Sequence, residues 1–443
     1  MAGIKPYYTT NSLISSIKLR IMFPTSQSTL TYNDILTMIN EELQLSAVPA
    51  IRELHEEYFV YKCPPTPLVN GISRYPIPNR AQGMAVRDIN WSDTSGNFFK
   101  MSRIAPEEKS FFQQNVGSNQ AIGKYYVEGN EIVITPQVST GATGSLNFFV
   151  YLRPNYLVRD DRAAVIQGFQ KALVISDNAQ VQVGDTIIIT TGNQTNAPIA
   201  SLLTAVASSP GLHEFEIGAT AAITAANINT AINDLGLEDV SCTVSASIAT
   251  VGYSDITTSF SVASSGVTVD NTNIYIHFDN LATTYTDPET DITETLYDVA
   301  NTVDFLQTDP GHRTYTYDIK LRQILPNNIG KFKATDLQTW VNNSSGGPQK
   351  YVSVQVGDYI CLSNECIIPQ IPPELHSKLA EMVAARILMA IGDKEGLAVS
   401  MGKLAEMDKQ QAALIGQRVE SSVPKVFNQF SLLRLGKRGR RRI

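Results

Sequence analysis

The chain has 443 residues, of which 43% are hydrophobic and 17% are charged, and its formal net charge is −7. A chain of this length can bury a large core and is expected to contain about two or three domains. It has no apolar run of the roughly 18 residues that a membrane-spanning helix needs, and its first residues lack a secretory signal pattern. Four cysteines are too few for a disulfide framework, so we expect synthesis in a reducing cytoplasm.

Residues 1–62 are predicted to form three helices of a bundle. The first helix can be capped by Asn11 or Ser12. The second opens with Thr31-Tyr-Asn-Asp34, which is a capping-box pattern, and the third follows Pro49. Apolar residues recur at helical spacing in each stretch, so the three helices are expected to pack together.

Residues 63–175 are predicted to form an antiparallel β layer. Several prolines mark irregular backbone at its start, and strand-like runs follow them. Gly129-Asn130 between two of these runs fits a hairpin turn. The connections are too short for crossover helices, so the strands should pair antiparallel. The predicted strands are Met84–Trp91, Phe98–Ile104, Lys124–Glu128, Glu131–Thr135 and Leu146–Leu152.

Residues 176–301 are predicted to be an inserted β-rich domain. They are rich in Thr, Ser and Ala and almost free of Lys and Arg. One helix should be capped by Thr224 and end at Gly236. Residues 302–370 should then supply return strands of the β layer, including parts of Thr314–Leu325 and Tyr351–Leu362. The predicted strands of the insert are Val181–Thr190, His213–Ile217, Ser241–Ala246, Ser259–Val262 and Asn273–Phe278.

A short sequence occurs twice, as Val181-Gln-Val-Gly-Asp185 and Val354-Gln-Val-Gly-Asp358. Two short copies do not indicate a repeat architecture. A shared strand–turn conformation and a duplicated fragment would explain the recurrence equally well.

Residues 371–420 are predicted to form the C-terminal helices of the bundle. Pro372-Pro373-Glu374 suits the first turn of a helix, and Gly392-Asp393 should end it. A second helix is expected from about Leu397, and the two could pair with each other or with the N-terminal helices. The sequence therefore predicts an α+β protein: a helical bundle from both chain ends, an antiparallel β layer, an inserted β-rich domain and an extended C-terminal arm.

The arm, 421–443, is basic, and no acidic residue follows Glu420. Removing its last six positive charges from the net charge of −7 leaves −13, so an acidic body ends in a cationic segment. This asymmetry indicates docking onto a negative partner, either nucleic acid or the acidic surface of a protein. Apolar residues precede the charges, which favours an inserted arm over a nuclear localisation signal, a DNA-backbone contact or a solvated tail. The predicted docking residues are Val426, Phe427, Phe430, Leu432, Leu433, Arg434, Leu435, Lys437, Arg438, Arg440, Arg441 and Arg442.

No catalytic, cofactor or metal site is predicted, and the chain is expected not to be an enzyme. It lacks a P-loop and a G-x-S-x-G motif, and its histidines form no cluster. Cys361 and Cys366 would need two further ligands to bind zinc, so two buried thiols are favoured. Asp160-Asp161 fits a charged turn better than a catalytic carboxylate pair. The acidic run 287–294 lacks the glycine of an EF-hand loop, so a solvated loop is favoured over a calcium site.

Segments at both chain ends carry a family resemblance. Near the C-terminus they are Val356–Ile360, Glu365–His376, Ala384–Leu388, Gly392-Asp393, Arg418–Glu420 and the basic arm. Towards the N-terminus they are Leu13–Ile17, Pro24, Asp34–Leu36, Glu53–Val60, Tyr75–Pro78, Arg80-Ala81, Tyr126–Asn130, Pro136 and Arg153-Pro154, continued by Val303–Phe305, Pro310–His312 and Tyr317-Asp318. In these residues the chain resembles head-to-tail adaptor (connector) proteins of short-tailed bacteriophages, most closely the ring protein below the portal of crAss-like phages. The middle region is similar to small decoration-like domains of other phage structural proteins.

The resemblance implies a homo-oligomeric, twelvefold ring in the neck of the virion, made in the cytoplasm of the host bacterium. Its helices would form the ring wall, its arms would clasp the portal, and further tail ring or hub proteins would follow. Genomic DNA would pass through the lumen without sequence-specific binding, and no membrane partner is implied. The acidic excess outside the arm fits such a channel, because like charges let the duplex slide.

Two other functions remain open from the sequence. The first is a tail or baseplate structural protein whose Thr-rich insert binds a host glycan. The second is a DNA-binding protein that uses the basic arm.

Overall fold

A computed structural model describes residues 8–22, 30–63, 65–78, 80–93, 97–109, 123–135, 144–191, 199–237, 240–254, 258–298, 302–306, 319–333 and 354–415. The protein belongs to the α+β class, with largely antiparallel sheets and helices from both chain ends. Its described residues form two compact units. The larger unit combines the chain up to Leu43 with Pro154–Ser400, and the smaller combines Gln44–Arg153 with the residues from Met401 onward.

The helices and strands have the following bounds. The helices are α1 (Thr10–Arg20), α2 (Tyr32–Glu42), α3 (Val48–Leu54), α4 (Ala221–Asp234), α5 (His376–Ile391) and α6 (Lys394–Ile415). The strands before Pro154 are β1 (Val60–Lys62), β2 (Thr66–Pro67), β3 (Arg74–Pro76), β4 (Ala81–Ser92), β5 (Phe98–Lys100), β6 (Ser102–Arg103), β7 (Lys124–Glu128), β8 (Glu131–Thr135) and β9 (Ser145–Leu152). The strands after it are β10 (Tyr156–Leu157), β11 (Ala164–Ile175), β12 (Thr186–Thr191), β13 (Ile199–Val206), β14 (Glu214–Glu216), β15 (Val240–Ser245), β16 (Ile248–Tyr253), β17 (Ser259–Ala263), β18 (Val267–Val269), β19 (Asn273–Phe278), β20 (Thr284–Thr286), β21 (Thr293–Thr295), β22 (Thr302–Leu306), β23 (Ile319–Leu325), β24 (Ile329–Lys333), β25 (Tyr359–Leu362) and β26 (Glu365–Cys366).

A closed sheet forms the centre of the larger unit. Strands β11, β19, β24, β23, β22 and β25 pair in this order, and β25 pairs again with β11. Every pairing in the ring is antiparallel. Phe278, Phe305 and Phe332 are buried, and Phe332 contacts the other two rings edge-on. The ring of strands thus encloses its own aromatic core and leaves none of its six strands as an open edge.

The far half of β11 continues the sheet in another direction. Beyond Gly168 it pairs with β16 and β18, and β16 pairs with β15. A second sheet, in the order β14-β13-β12-β17, and helix α4 contribute to the same hydrophobic core. Phe169, Ile187 and Ile228 come from these three elements and are buried.

The described residues of the smaller unit form two sheets. One has the order β1-β9-β4-β5, with β2 also on β9, and the other has the order β3-β8-β7-β6. Ile89 and Phe148 from the first sheet share a buried cluster with Ile132 and Ile134 from the second. The two sheets therefore pack face to face. The sequence predicts one antiparallel layer here; the structure has two sheets, and the pairing of β6 with β7 is parallel, whereas the other pairings are antiparallel.

Several local predictions are confirmed in detail. Thr31 and Asp34 form both halves of the capping box that opens α2. Strands β7 and β8 have the predicted bounds and are joined by Gly129-Asn130, with Gly129 at φ +60°.

The predicted cap of α4 is wrong. Thr220 caps this helix, while the Thr224 hydroxyl lies inside the helix and donates to Asn178 Oδ1 at 2.6 Å.

The predicted segment boundaries differ from the division into two units. Strand β11, which the sequence analysis does not predict, starts before residue 176 and pairs with β19 and β25, so the closed sheet draws strands from three predicted segments. The predicted first two helices lie in the larger unit and the third, α3, in the smaller. The domain limits predicted from the sequence therefore stay predictions. They are 1–62, 63–175, 176–301, 302–370, 371–420 and 421–443.

The two copies of the repeated pentapeptide adopt one conformation. Gly184 and Gly357 have φ values of +94° and +93°. In each copy the aspartate carboxylate accepts from the glutamine N–H, at 2.9 Å in the first and 2.8 Å in the second. In each, the glycine N–H and the aspartate carbonyl also bond to one residue of a neighbouring strand, Ala205 or Ile166. The recurrence is therefore a shared turn that starts β12 and β25.

Candidate assembly site

Helix α5 brings the two ends of the chain together. It packs against α1 and α2, although more than 300 residues separate it from them. Its apolar face is buried, including Leu379, Val383 and Ile387, as the helical spacing of these residues predicts. The chain therefore does form a helical layer from both of its ends, within the larger unit.

Glu381 is the polar centre of this layer. Its side chain is 4% exposed and accepts from Arg20 Nε of α1 at 2.8 Å. Its other oxygen accepts from Ser400 Oγ of α6 at 2.7 Å. Arg20 also donates to Ser377 Oγ at 2.9 Å. A buried carboxylate needs such partners, because an uncompensated charge in the interior is strongly unfavourable. One side chain thus links α1, α5 and the start of α6.

A second ion-pair group connects α5 to α2. Arg386 pairs with Glu41 and Glu42 at the end of α2, and its Nη1 lies 3.3 Å from Glu42 Oε1. Arg386 is 35% exposed, so solvent and salt screen this pair more than the Glu381 group. We therefore assign it a smaller share of the stability of the layer.

His376, the first residue of α5, joins the helix to the segment before α1. Its Nδ1 accepts from the Tyr8 N–H at 2.9 Å, so the Nε2 carries the proton of the neutral ring. That Nε2 donates to the carbonyls of Pro369 and Ile371, at 3.1 and 3.3 Å. Burial of the ring lowers the pKa of His376 to about 4. Both ring nitrogens are thus used by a neutral histidine.

The acidic run 287–294 has a structural role beyond the solvated loop that the sequence favours. Glu289 accepts from the backbone N–H groups of Tyr32 and Asn33, at 2.8 and 3.1 Å, at the start of α2. Glu294 pairs with Arg162 at 2.8 Å. A carboxylate at a helix N-terminus satisfies free N–H groups and interacts favourably with the helix dipole. The run therefore connects the start of α2 to the β20–β21 hairpin. The predicted solvated loop is an incomplete description, because two of its carboxylates bind other parts of the larger unit.

Asp160-Asp161 forms a charged turn beside the same helix. The Asp160 carboxylate accepts from the Asn11 N–H at 3.1 Å. Arg159 lies over the ring of Tyr32, with 4.1 Å between its guanidinium carbon and the ring centroid. These contacts connect the turn to α1 and α2. The sequence predicts the charged turn but not these contacts.

A buried polar network supports the strands beneath the helices. Asn155 donates from Nδ2 to Asp304 Oδ2 at 2.8 Å and from its backbone to Gln370 Oε1 at 2.7 Å. Cys361 and Cys366 lie in this region and are buried thiols that form no disulfide, and the Cys366 thiol donates to the Asn155 carbonyl at 3.5 Å. Burial raises the pKa of Cys361 well above its ordinary value, which keeps this thiol protonated and unreactive. Among the described residues, no group of three or more His, Cys, Asp or Glu side chains is placed to hold a metal ion.

The helical layer also exposes large apolar side chains. They lie at the end of α1, at the end of α5 and in the second turn of α6. Their exposed fractions are 80% for Leu19, 88% for Met22, 64% for Met389, 61% for Ile391 and 61% for Val399. Single exposed apolar residues are ordinary, but several on the helices of one layer would suit a protein–protein interface.

Helix α6 follows α5 after a tight turn. Gly392 has φ +79°, and Asp393 caps α6 by accepting from the Gly396 N–H at 2.9 Å. From Met401 to Gln410 its side chains are mostly exposed. The predicted docking residues, Val426 to Arg442, lie outside the described residues, so their role stays a prediction. No helix in the described ranges is long and apolar enough to span a bilayer.

Comparison with solved structures gives a weak likeness to a phage protein. No protein-family model matches the chain, and no curated protein matches it. Among solved structures, a protein of Mycobacterium phage Patience aligns with 62% of this chain and 90% of its own length. Its sequence identity is 11% and its TM-score is 0.15. At this TM-score the likeness carries no argument about fold or function.

Proposed function

We propose that this chain is a non-enzymatic structural protein of a bacteriophage virion that forms the head-to-tail adaptor ring between portal and tail. The observation that carries the proposal is the helical layer of α1, α2 and α5, which exposes large apolar side chains at the end of α1, at the end of α5 and in α6. A monomer gains nothing from this exposure, whereas neighbouring subunits in a ring would bury it. The sequence resemblance at both chain ends supplies the family.

The arm is proposed to dock on the portal. Phe427, Phe430 and Leu435 would fill apolar grooves, and the arginines from Arg434 to Arg442 would pair with acidic groups there. Each contact alone would be weak in salt. A ring presents many arms at once, so the effective concentration of every further contact is high, and the total affinity exceeds that of one arm. The ring would be twelvefold, as in the family that the chain resembles.

The body of the protein is proposed to line the DNA channel without gripping it. Outside the six terminal charges the chain has a net charge of −13. A lumen with this sign repels phosphates and offers them few cations to displace counterions, so the duplex can slide. Further tail ring or hub proteins would continue the channel below.

Deleting the arm tests the proposal. A chain truncated after Ser422 should still form rings in negative-stain images but should no longer capture the portal ring of the same virus. The full-length chain should form rings and capture the portal ring. A full-length protein that stays monomeric, or a truncated ring that binds the portal normally, contradicts the proposed function.

The glycan-binding alternative gains no support from the described aromatic side chains of 176–301. Protein–sugar contacts commonly use exposed aromatic faces, but Phe215, Tyr253 and Phe260 are buried in the core of the larger unit. Binding of isolated 176–301 to a glycan array would nevertheless restore that alternative.

A further inference from the structure

Strand β5 of the smaller unit exposes two aromatic side chains. It is the last strand in the order β1-β9-β4-β5, and all three of its residues are exposed. Phe98 is 56% exposed and Phe99 is 43% exposed. The Phe99 ring stacks on Trp91, with 4.9 Å between the ring centroids. Exposed apolar residues on the outermost strand of a sheet favour association with another chain.

Two lysines lie beside these rings. Lys62 Nζ lies 5.1 Å from the centroid of the Phe98 ring. Lys100, which follows Phe99 in the strand, is 73% exposed, and its Nζ lies 2.8 Å from Asp88 Oδ1. Lys62, Phe98, Phe99 and Lys100 therefore form one surface that combines aromatic rings with positive charge. It is called the β5 surface below.

The two units differ strongly in charge. In the sequence of the larger unit, 15 Lys and Arg residues stand against 30 Asp and Glu residues, so its formal charge is −15 with neutral histidines. In Gln44–Arg153 of the smaller unit the numbers are 10 and 9, a formal charge of +1. The larger unit thus has the charge that attracts the lysines of the β5 surface.

We propose that the β5 surface binds the acidic larger unit of a second copy of this chain. The inference rests on the proposed ring and deepens it, because it names one contact between the subunits. Two different surfaces of the same chain meet in such a contact, and contacts of this heterologous kind close into rings. The aromatic rings would form the core of the contact and the lysines its polar rim.

Single-stranded nucleic acid is the other partner that aromatic rings and cations can bind. Two observations favour the protein partner. The Asp88 carboxylate beside Lys100 would repel phosphates. One face of each ring is also in use already, because Lys62 lies over Phe98 and Trp91 stacks on Phe99.

Substitutions in the full-length chain test the inference. F98S removes the more exposed ring, and K62E reverses one charge of the β5 surface. K320E is the matched charge control, because Lys320 is exposed on β23 and the change makes the larger unit more acidic. Sedimentation velocity measures self-association, and circular dichroism checks that each variant is folded. We expect about tenfold weaker self-association for F98S and for K62E, and no loss for K320E.

The salt dependence gives a second readout. Self-association of the wild type should weaken as salt is added, and that of K62E should depend less on salt, because salt screens the charges of the contact.

The outcomes separate the inference from the proposed function. If F98S and K62E form rings as well as the wild type does, the inference fails and the proposed function stands. If the wild type is itself monomeric, both fail. If both substitutions weaken binding of an oligothymidylate but leave self-association unchanged, the β5 surface is a nucleic-acid site and the inference is overturned.

Discussion

Asn233 of α4 bonds to both backbone groups of Cys242 on the edge strand β15. Its Nδ2 donates to the Cys242 carbonyl at 3.1 Å, and its Oδ1 accepts from the Cys242 N–H at 2.8 Å. The amide thus occupies the place of a neighbouring strand. Free edges promote pairing with other chains, so this side chain protects the larger unit against aggregation.

Replacing this amide should expose the edge. We expect N233A to lower the free energy of unfolding by about 1–3 kcal/mol, because two partners in the native state are lost, and to increase light scattering at 37 °C. N233D keeps an acceptor for the Cys242 N–H but loses the donor to the Cys242 carbonyl. Its free energy of unfolding should therefore lie between those of the wild type and N233A. Urea titration measures the stability and light scattering measures the aggregation. An N233A protein that scatters no more than wild type contradicts the role of Asn233 as an edge cap.

The neutral ring of His376 should make stability depend on pH. Its pKa in the folded protein is about 4, against an ordinary value of 6.5, so the unfolded chain binds the proton more readily. Its contribution is fully present above pH 6.5 and is lost as the pH falls towards 4, and the shift corresponds to about 3 kcal/mol.

Glutamine at position 376 offers an acceptor and a donor but does not titrate. H376Q should therefore flatten the dependence of the unfolding free energy on pH between 4 and 6.5. H213N is the matched control, because His213 is exposed and asparagine tolerates its positive φ. Chemical denaturation at five pH values is the measurement, and an unchanged slope in H376Q rules out His376 as the source.

Arg20 and Glu381 should be strongly coupled. Removing one partner leaves the other charge poorly compensated, so E381A should cost about 3–5 kcal/mol. The double variant R20M/E381L should be more stable than the sum of the single changes indicates, because no charge is then left unpaired. Arg74 and Glu131, 49% and 43% exposed, are the matched surface pair, and solvent screening should leave them only weakly coupled. Equal coupling energies in the two cycles would mean that burial of Glu381 has no effect.

The twin turns offer an internal comparison. D185A and D358A each remove the acceptor of a glutamine N–H, and asparagine at either position keeps it. We expect about 1–2 kcal/mol of destabilisation for each alanine variant and clearly less for asparagine. D358A should cost more, because Asp358 is 3% exposed. Thermal unfolding of the four variants gives their order of stability. If the asparagine variants are destabilised as much as the alanine variants, the hydrogen bond to the glutamine N–H is not the cause of the destabilisation.

Local signals predicted local structure well. The capping box at Thr31–Asp34 and the hairpin at Gly129-Asn130 each lie within a few residues, so their chemistry is complete in the sequence. Strand β11 was missed because it bulges near Gly168: buried positions are even-numbered up to Ile166 and odd-numbered from Phe169 onward. This shift destroys the alternation that identifies a strand and leaves apolar spacings of three and four that imitate a helix.

The contacts of the assembly site could not be predicted in the same way. The sequence indicates that helices lie at both chain ends, but it does not indicate which carboxylate meets Arg20 or which loop caps α2. Glu289 is more than 250 positions from the amides it binds. Such pairs are chosen by the tertiary fold, because many charged residues have equivalent local surroundings.

The closed sheet has a consequence for synthesis on the ribosome. Ala164 of β11 finds its partner in Ile360 of β25. At roughly 5–20 residues per second, the about 200 residues between them take about 10–40 s to emerge. Throughout this interval Ala164 and Val165 lack their β25 partners, although Phe169–Val174 can pair with β16 once it has emerged. Chaperones that recognise exposed strands have time to act on this start of β11 in the nascent protein.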